Sequence, residues 1–174
     1  MRLSGIAAAC AAALVLSGCN PTISFDSTVK GTSQIPGSGL GSLSGPLTLT
    51  GLNNINLSQQ GNFTNNNTDK DHIDHVHVKS MTLVVTAPTP GDLSFLTKLA
   101  FTISADGLPT VEIAHQEVFP KGQSTVTMTL DGAELAPYAK AASFSIGATG
   151  TGTAPSQNTT IEATMTLTID AHVL

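Results

Sequence analysis

From Thr160 to Val173 the chain alternates almost without a break. Ile161, Ala163, Met165, Leu167, Ile169 and Val173 share one parity; Thr160, Glu162, Thr164, Thr166, Thr168, Asp170 and His172 share the other. A period of two is that of a β-strand with one face buried and one in water. A strand this long must be paired along most of its length, because buried backbone N–H and C=O groups need partners. Its apolar face then needs a second layer to cover it. The rest of the chain repeats the pattern in shorter pieces. Ile23, Phe25, Ser27 and Val29 alternate with polar residues, as do Leu99, Phe101 and Ile103, and then Val111 and Ile113. Val126, Met128 and Leu130 alternate with Thr125, Thr127 and Thr129, and Phe144, Ile146 and Ala148 begin a further strand. Asp106-Gly107, Pro120-Lys121-Gly122 and Asp131-Gly132 supply turns between them. Strands at roughly ten-residue spacing predict an all-β, immunoglobulin-like antiparallel β-sandwich of about seven or eight strands with one short helix. A small β-barrel is the alternative.

Other stretches are less regular. Val76 and Val78 have one parity, and Met81, Leu83 and Val85 the other. One regular strand cannot bury both sets, so either a bulge near Lys79-Ser80 or a change of sheet is expected. Gly31 to Pro46 is rich in Gly and Ser and reads as a long loop or as two weak strands around Ile35 and Leu40. Leu47, Leu49 and Leu52 suggest a short strand. Asn53 to Lys70 reads as polar loop anchored by Ile55, Leu57 and Phe63. Asp92 to Leu96 suggests a helical turn capped by Asp92. Ala133 to Ala142 is the helix-like stretch, shortened by Pro137, with Leu135 and Tyr138 placed to plug one end of the sandwich. Gly147 to Gly152 and Pro155 read as a loose loop.

The amino terminus has its own logic. Met1-Arg2 is positively charged, and Leu3 to Leu16 is apolar apart from Ser4, Gly5 and Cys10. The run is shorter than the roughly 20 residues needed to cross a bilayer and has the form of a secretory signal. It ends in Leu16-Ser17-Gly18-Cys19, which resembles the lipobox of bacterial lipoprotein precursors. The resemblance implies cleavage of residues 1–18 and attachment of lipid, including palmitate-like acyl chains, to Cys19. Residues 19–174 would then be a lipid-anchored β-sandwich domain. One acyl chain alone binds a membrane marginally, whereas two or three on one residue hold it durably. Asn20, where an Asp would signal inner-membrane retention, points to the outer membrane of a diderm, or otherwise to the outer face of the plasma membrane. Cys10 leaves with the leader, so Cys19 is the lone cysteine of the mature chain and no disulfide can form. The first alternating run starts at Thr22, which leaves no long tether between lipid and domain.

Composition narrows the partners. The formal charge of the whole chain is −5, and its one arginine, Arg2, lies in the leader. Six lysines then face twelve acids, which argues against nucleic acid, where cationic phosphate contacts dominate affinity. With no Trp and only Tyr138 as a tyrosine, stacking on sugar rings is poorly supported. There is no Gly-x-Ser-x-Gly elbow, no His-Glu-x-x-His and no pair of Cys in the mature chain. The expected function is therefore non-enzymatic: a lipid-anchored cell-envelope protein with a structural or protein-interaction role, a possible envelope protein as partner, and no cofactor beyond the lipid.

The alternative is a metal-binding lipoprotein. Asp69 to His77 holds three of the five histidines, and an extended backbone puts His75 and His77 on one face. His72, His75 and His77, with Asp74 or Asp71 completing the shell, would suit zinc or copper. His115 or His172 could add a donor if the fold brought either close. Glu112 and Glu117 flank His115 in the sequence.

Overall fold

The computed structural model of the protein describes residues 21–38, 41–59 and 61–174; the expected leader, Cys19 and Leu40 lie outside them. The long alternating segment forms strand β9 (Thr159–His172). It pairs antiparallel with β1 (Thr22–Ile35) on one side and with β3 (Ile73–Ala87) on the other. The β1–β9 ladder runs unbroken from Thr22 opposite His172 to Ile35 opposite Thr159. A short strand, β6 (Thr125–Thr127), completes a four-stranded sheet in the order β1-β9-β3-β6.

The covering layer is five-stranded: β2 (Ser42–Leu47), β8 (Phe144–Thr153), β4 (Leu96–Ala105), β5 (Val111–Gln116) and β7 (Thr129–Leu130), in that order. The inner faces meet in one core. Met81, Leu83, Ile161, Met165, Leu167 and Ile169 from the first sheet pack with Leu99, Phe101, Ile103 and Ile146 from the second. Each large apolar side chain withdrawn from water here contributes about 1.5–3 kcal/mol, and the described residues, which include no cysteine, rest on that burial. The two sheets stay open at their edges, so the fold is the antiparallel β-sandwich and not the barrel.

The ambiguous stretches resolve as follows. A register shift between Val78 and Ser80 moves β3 from one parity to the other, the bulge that its two valine-methionine patterns require. The change of sheet occurs elsewhere. Val126 is buried under the four-stranded sheet, Met128 N–H donates to Met81 O, and Thr129 and Leu130 then pair with β5 in the other sheet. One alternating run thus serves both layers, and the strands among the described residues number nine, against an expected seven or eight.

Of the two readings of Gly31 to Pro46, strand holds at both of its ends, and the loop expected at Gly147 to Gly152 is strand as well. β1 continues through Gly31 to Ile35 because Ser27, Gly31 and Ser33 face inward, where the segment around Leu49 and Leu52 crosses them. Thr32 and Thr50 exchange backbone hydrogen bonds at this crossing, and a Cβ on Gly31 would strike the Leu52 side chain. Gly147 to Gly152 lies within β8, where a Cβ on Gly152 would strike the carbonyl of Phe95, the residue before neighbouring β4. Small residues mark close approach here, not looseness.

Asp92 caps a hydrogen-bonded turn rather than a helix. Its carboxylate accepts from the Ser94 N–H (2.9 Å), the Ser94 hydroxyl (2.6 Å) and the Gly122 N–H (3.1 Å). Among the described residues there are two short α-helices, not one. Helix α1 (Asn62–Asn65) seats Phe63 edge-on against Phe25. Helix α2 (Ala136–Lys140) carries Tyr138, whose hydroxyl donates to Pro109 O (2.7 Å); Leu135 and Tyr138 plug the sandwich as expected.

Candidate functional site

The chemistry-bearing side chains converge at one edge of β3. β6 borders only residues 82–84 of that strand, so the backbone near Val76 has no strand beside it on that side. The chain leaving β7 fills the gap. Leu135 N–H donates to Val76 O (2.8 Å), and Val76 N–H donates to Glu134 Oε1 (2.9 Å). The same oxygen accepts from Ala136 N–H (2.9 Å) at the start of α2. One carboxylate oxygen is thereby committed to backbone, and the other, Oε2, turns toward the outer face of β3.

His75 and His77 lie on that face, on either side of the buried Val76. His75 Nδ1 is 2.9 Å from Glu134 Oε2, and His77 Nε2 is 3.6 Å from it. The rings are nearly parallel, 10° apart in plane, with centroids separated by 6.3 Å. One donor atom from each of the three side chains lies within 4.8 Å of the others. All three residues are exposed.

Electrostatics reinforce the cluster. Partial burial pushes the Glu134 carboxyl up, but the N–H groups of Val76 and Ala136, with His75 and His77, more than offset this and lower it to about 2. The hydrogen bond to Glu134 raises His75 above its ordinary value, against a smaller opposing effect of desolvation, with Asp74 and Asp170 adding negative charge nearby. The site therefore offers an ionised carboxylate oxygen and two imidazoles: it can hold a proton or a cation.

Of the residues that sequence spacing picked out, His75 and His77 come together and His72 and Asp74 do not. His72 turns to Asp69 (Nδ1 to Oδ1, 2.7 Å), which caps the 3-10 turn Lys70–His72. Asp74 faces His172 (Oδ2 to Nε2, 3.1 Å), and His172 Nδ1 is buried with no hydrogen-bond partner among the described residues. Asp71 is exposed beside Lys70. His115 belongs to a second group on the other sheet, 3.0 Å from Asp131 Oδ1 and 3.4 Å from Glu112 Oε1, while Glu117 pairs with Lys98. Glu134 is the residue that spacing missed. It is 59 positions from His75, and its only local signal is an acid placed before a proline-started helical turn.

No family model matches the chain, and no curated protein matches it. What the site can do rests on its geometry.

A second feature lies at the opposite end of the sandwich, beyond the pairing of β1 and β9 at Ile35 and Thr159. Loops 88–95 and 153–157, with Gly122, surround an open cleft of about 530 Å³. Pro88, Pro90, Phe95 and Pro155 give it apolar walls, and Asp92 and Gln157 give it polar ones.

Proposed function

We propose that this chain is the precursor of a lipid-anchored cell-envelope protein whose sandwich works by binding a protein partner, not by catalysis. The lipobox-like Leu16-Ser17-Gly18-Cys19 supports the anchor. The observation that carries the reading is the position of β1. It begins at Thr22, three residues beyond Cys19, and its first residue is already paired with His172. A domain anchored at Cys19 has almost no slack. Fourteen extended residues then carry the chain about 45 Å away from that end. The loops around the proline-lined cleft become the part displayed farthest from the membrane, a common arrangement for binding loops on a rigid sandwich.

The test has two arms. Cells producing the protein are labelled with radioactive palmitate; the wild type takes up label and Cys19→Ala does not. A photo-crosslinking side chain placed at Gln157 then yields an adduct of one defined mass, whereas the same group at Thr166, on the outer face of β9, yields none. Unlabelled wild type would overturn the anchor. Adducts absent from Gln157 and present at Thr166 would overturn the assignment of the distal loops as the binding end.

A further inference from the structure

We propose that His75, His77 and Glu134 form a binding site for one divalent ion of the zinc and copper class on the outer edge of β3. This goes beyond the partner-binding reading, and either can fail without the other.

The donor set selects the ion. Two imidazole nitrogens and one carboxylate oxygen suit zinc and copper, whereas magnesium and calcium favour all-oxygen shells. The positions are close to what such an ion needs. The three donor atoms already lie within 4.8 Å of one another. Ligands at about 2.0–2.2 Å from a tetrahedral zinc lie about 3.3–3.6 Å from one another; His77 and Glu134 already stand so, His75 need only part slightly from Glu134 at 2.9 Å, and exposed side chains can do so by small torsional changes. A three-residue shell leaves an outward position for water or a group from another molecule.

The support around the ligands is specific. Glu134 Oε1 is fixed by the N–H groups of Val76 and Ala136, which orients Oε2 without any contribution from the histidines. His75 and His77 stand on backbone held in the ladder with β9, opposite Asp170 and Thr168. Asp74 and Asp170 add negative charge at the same corner. An ordinary surface ion pair accounts for His75 with Glu134 and contributes little. It does not account for a second imidazole aligned with the first and aimed at the same oxygen. The Glu112, His115 and Asp131 group has one imidazole and two carboxylates. That is a poorer donor set for this class of ion, and it serves as an internal control.

The mature protein, purified in detergent and stripped with chelator, is titrated calorimetrically with zinc chloride and separately with copper sulfate. One equivalent binds to the wild type. His75→Ala with His77→Ala abolishes that equivalent. Glu134→Gln, whose amide oxygen still accepts from Val76 and Ala136, weakens it by at least the roughly 10–100-fold that loss of a supporting group costs a metal site. His115→Ala leaves it unchanged. Circular dichroism establishes that each variant remains folded, and both histidines are exposed enough for alanine to be tolerated. No equivalent bound by the wild type up to millimolar ion would overturn the proposal. So would undiminished binding by the folded double variant, or binding that depends on His115 instead.

Discussion

Two acids illustrate how single residues organise this fold. Glu134 spends one oxygen on the exposed edge of β3 and the other on the histidines, so structural and ligand roles fall on separate atoms. Asp92 spends both on local order, accepting from Ser94 with Oδ1 and from Gly122 with Oδ2, which ties the turn after β3 to the loop before β6. The Ser94 hydroxyl and N–H, then the Gly122 N–H, hold the Asp92 carboxyl below its ordinary 3.8. The folded protein therefore binds a proton there less readily than the unfolded chain does. The stabilisation is fully present above pH 3.8 and is lost as pH falls through that value toward the lower folded one. Asp92→Asn is expected to cost about 1 kcal/mol near neutral pH, because the half-buried side chain loses its charge but its amide keeps one acceptor. Urea midpoints measured across a pH series should converge for wild type and variant on acidification. A gap that stayed constant would place the effect of Asp92 outside its ionisation. Neither role was fully visible in the order of residues: Asp92 announced a cap but not its partner Gly122, and Glu134, within the helix-like stretch 133–142, carried no sign of its place beside His75.

Among the elements, alternation identified strands wherever one face was apolar and failed where close approach replaced side chains by hydrogen or hydroxyl. β9, β4 and the first half of β8 were legible because Ile, Leu, Phe and Met mark their inner faces. The second half of β1 read as loop or weak strand alike because Gly31 and Ser33 occupy its inward positions, leaving room for Leu52. The second half of β8 was hidden because its glycines let β4 approach. The switch at Met128 was hidden for a different reason: alternation continues unchanged whichever sheet receives the strand. These glycines are expected to be structural. Gly152→Ala, whose new methyl would meet the Phe95 carbonyl that accepts from Thr153 N–H, should cost about 1–3 kcal/mol as overpacking. Gly107→Ala meets no atom nearby and suffers only from its φ of +72°, so it should cost about 1 kcal/mol or less. Thermal denaturation of the two variants side by side checks the order; equal losses would argue that the approach of β8 to β4 is not tight.

At the scale of the molecule, the two ends of the described chain lie together. Thr22 pairs with His172, Val173 N–H donates to Pro21 O, and Leu174 N–H donates to Asn67 O. The His75, His77 and Glu134 cluster lies toward this end, since His75 pairs with Asp170, and the proline-lined cleft lies at the other. The uninterrupted β1–β9 ladder joins these ends, and it has a mechanical consequence. Its hydrogen bonds run across the strands. A pull on Thr22 opposed at the distal loops acts along the strand axis and strains those bonds side by side, in shear. A pull on Thr22 opposed at Leu174 opens the same ladder from one end, a pair at a time. In a single-molecule extension experiment the domain attached through residue 20 and Gln157 should yield at markedly higher force than the domain attached through residue 20 and Leu174. A tether at Cys19 with its load at the far loops is the first of these two geometries, so the strand nearest the anchor would double as a mooring line.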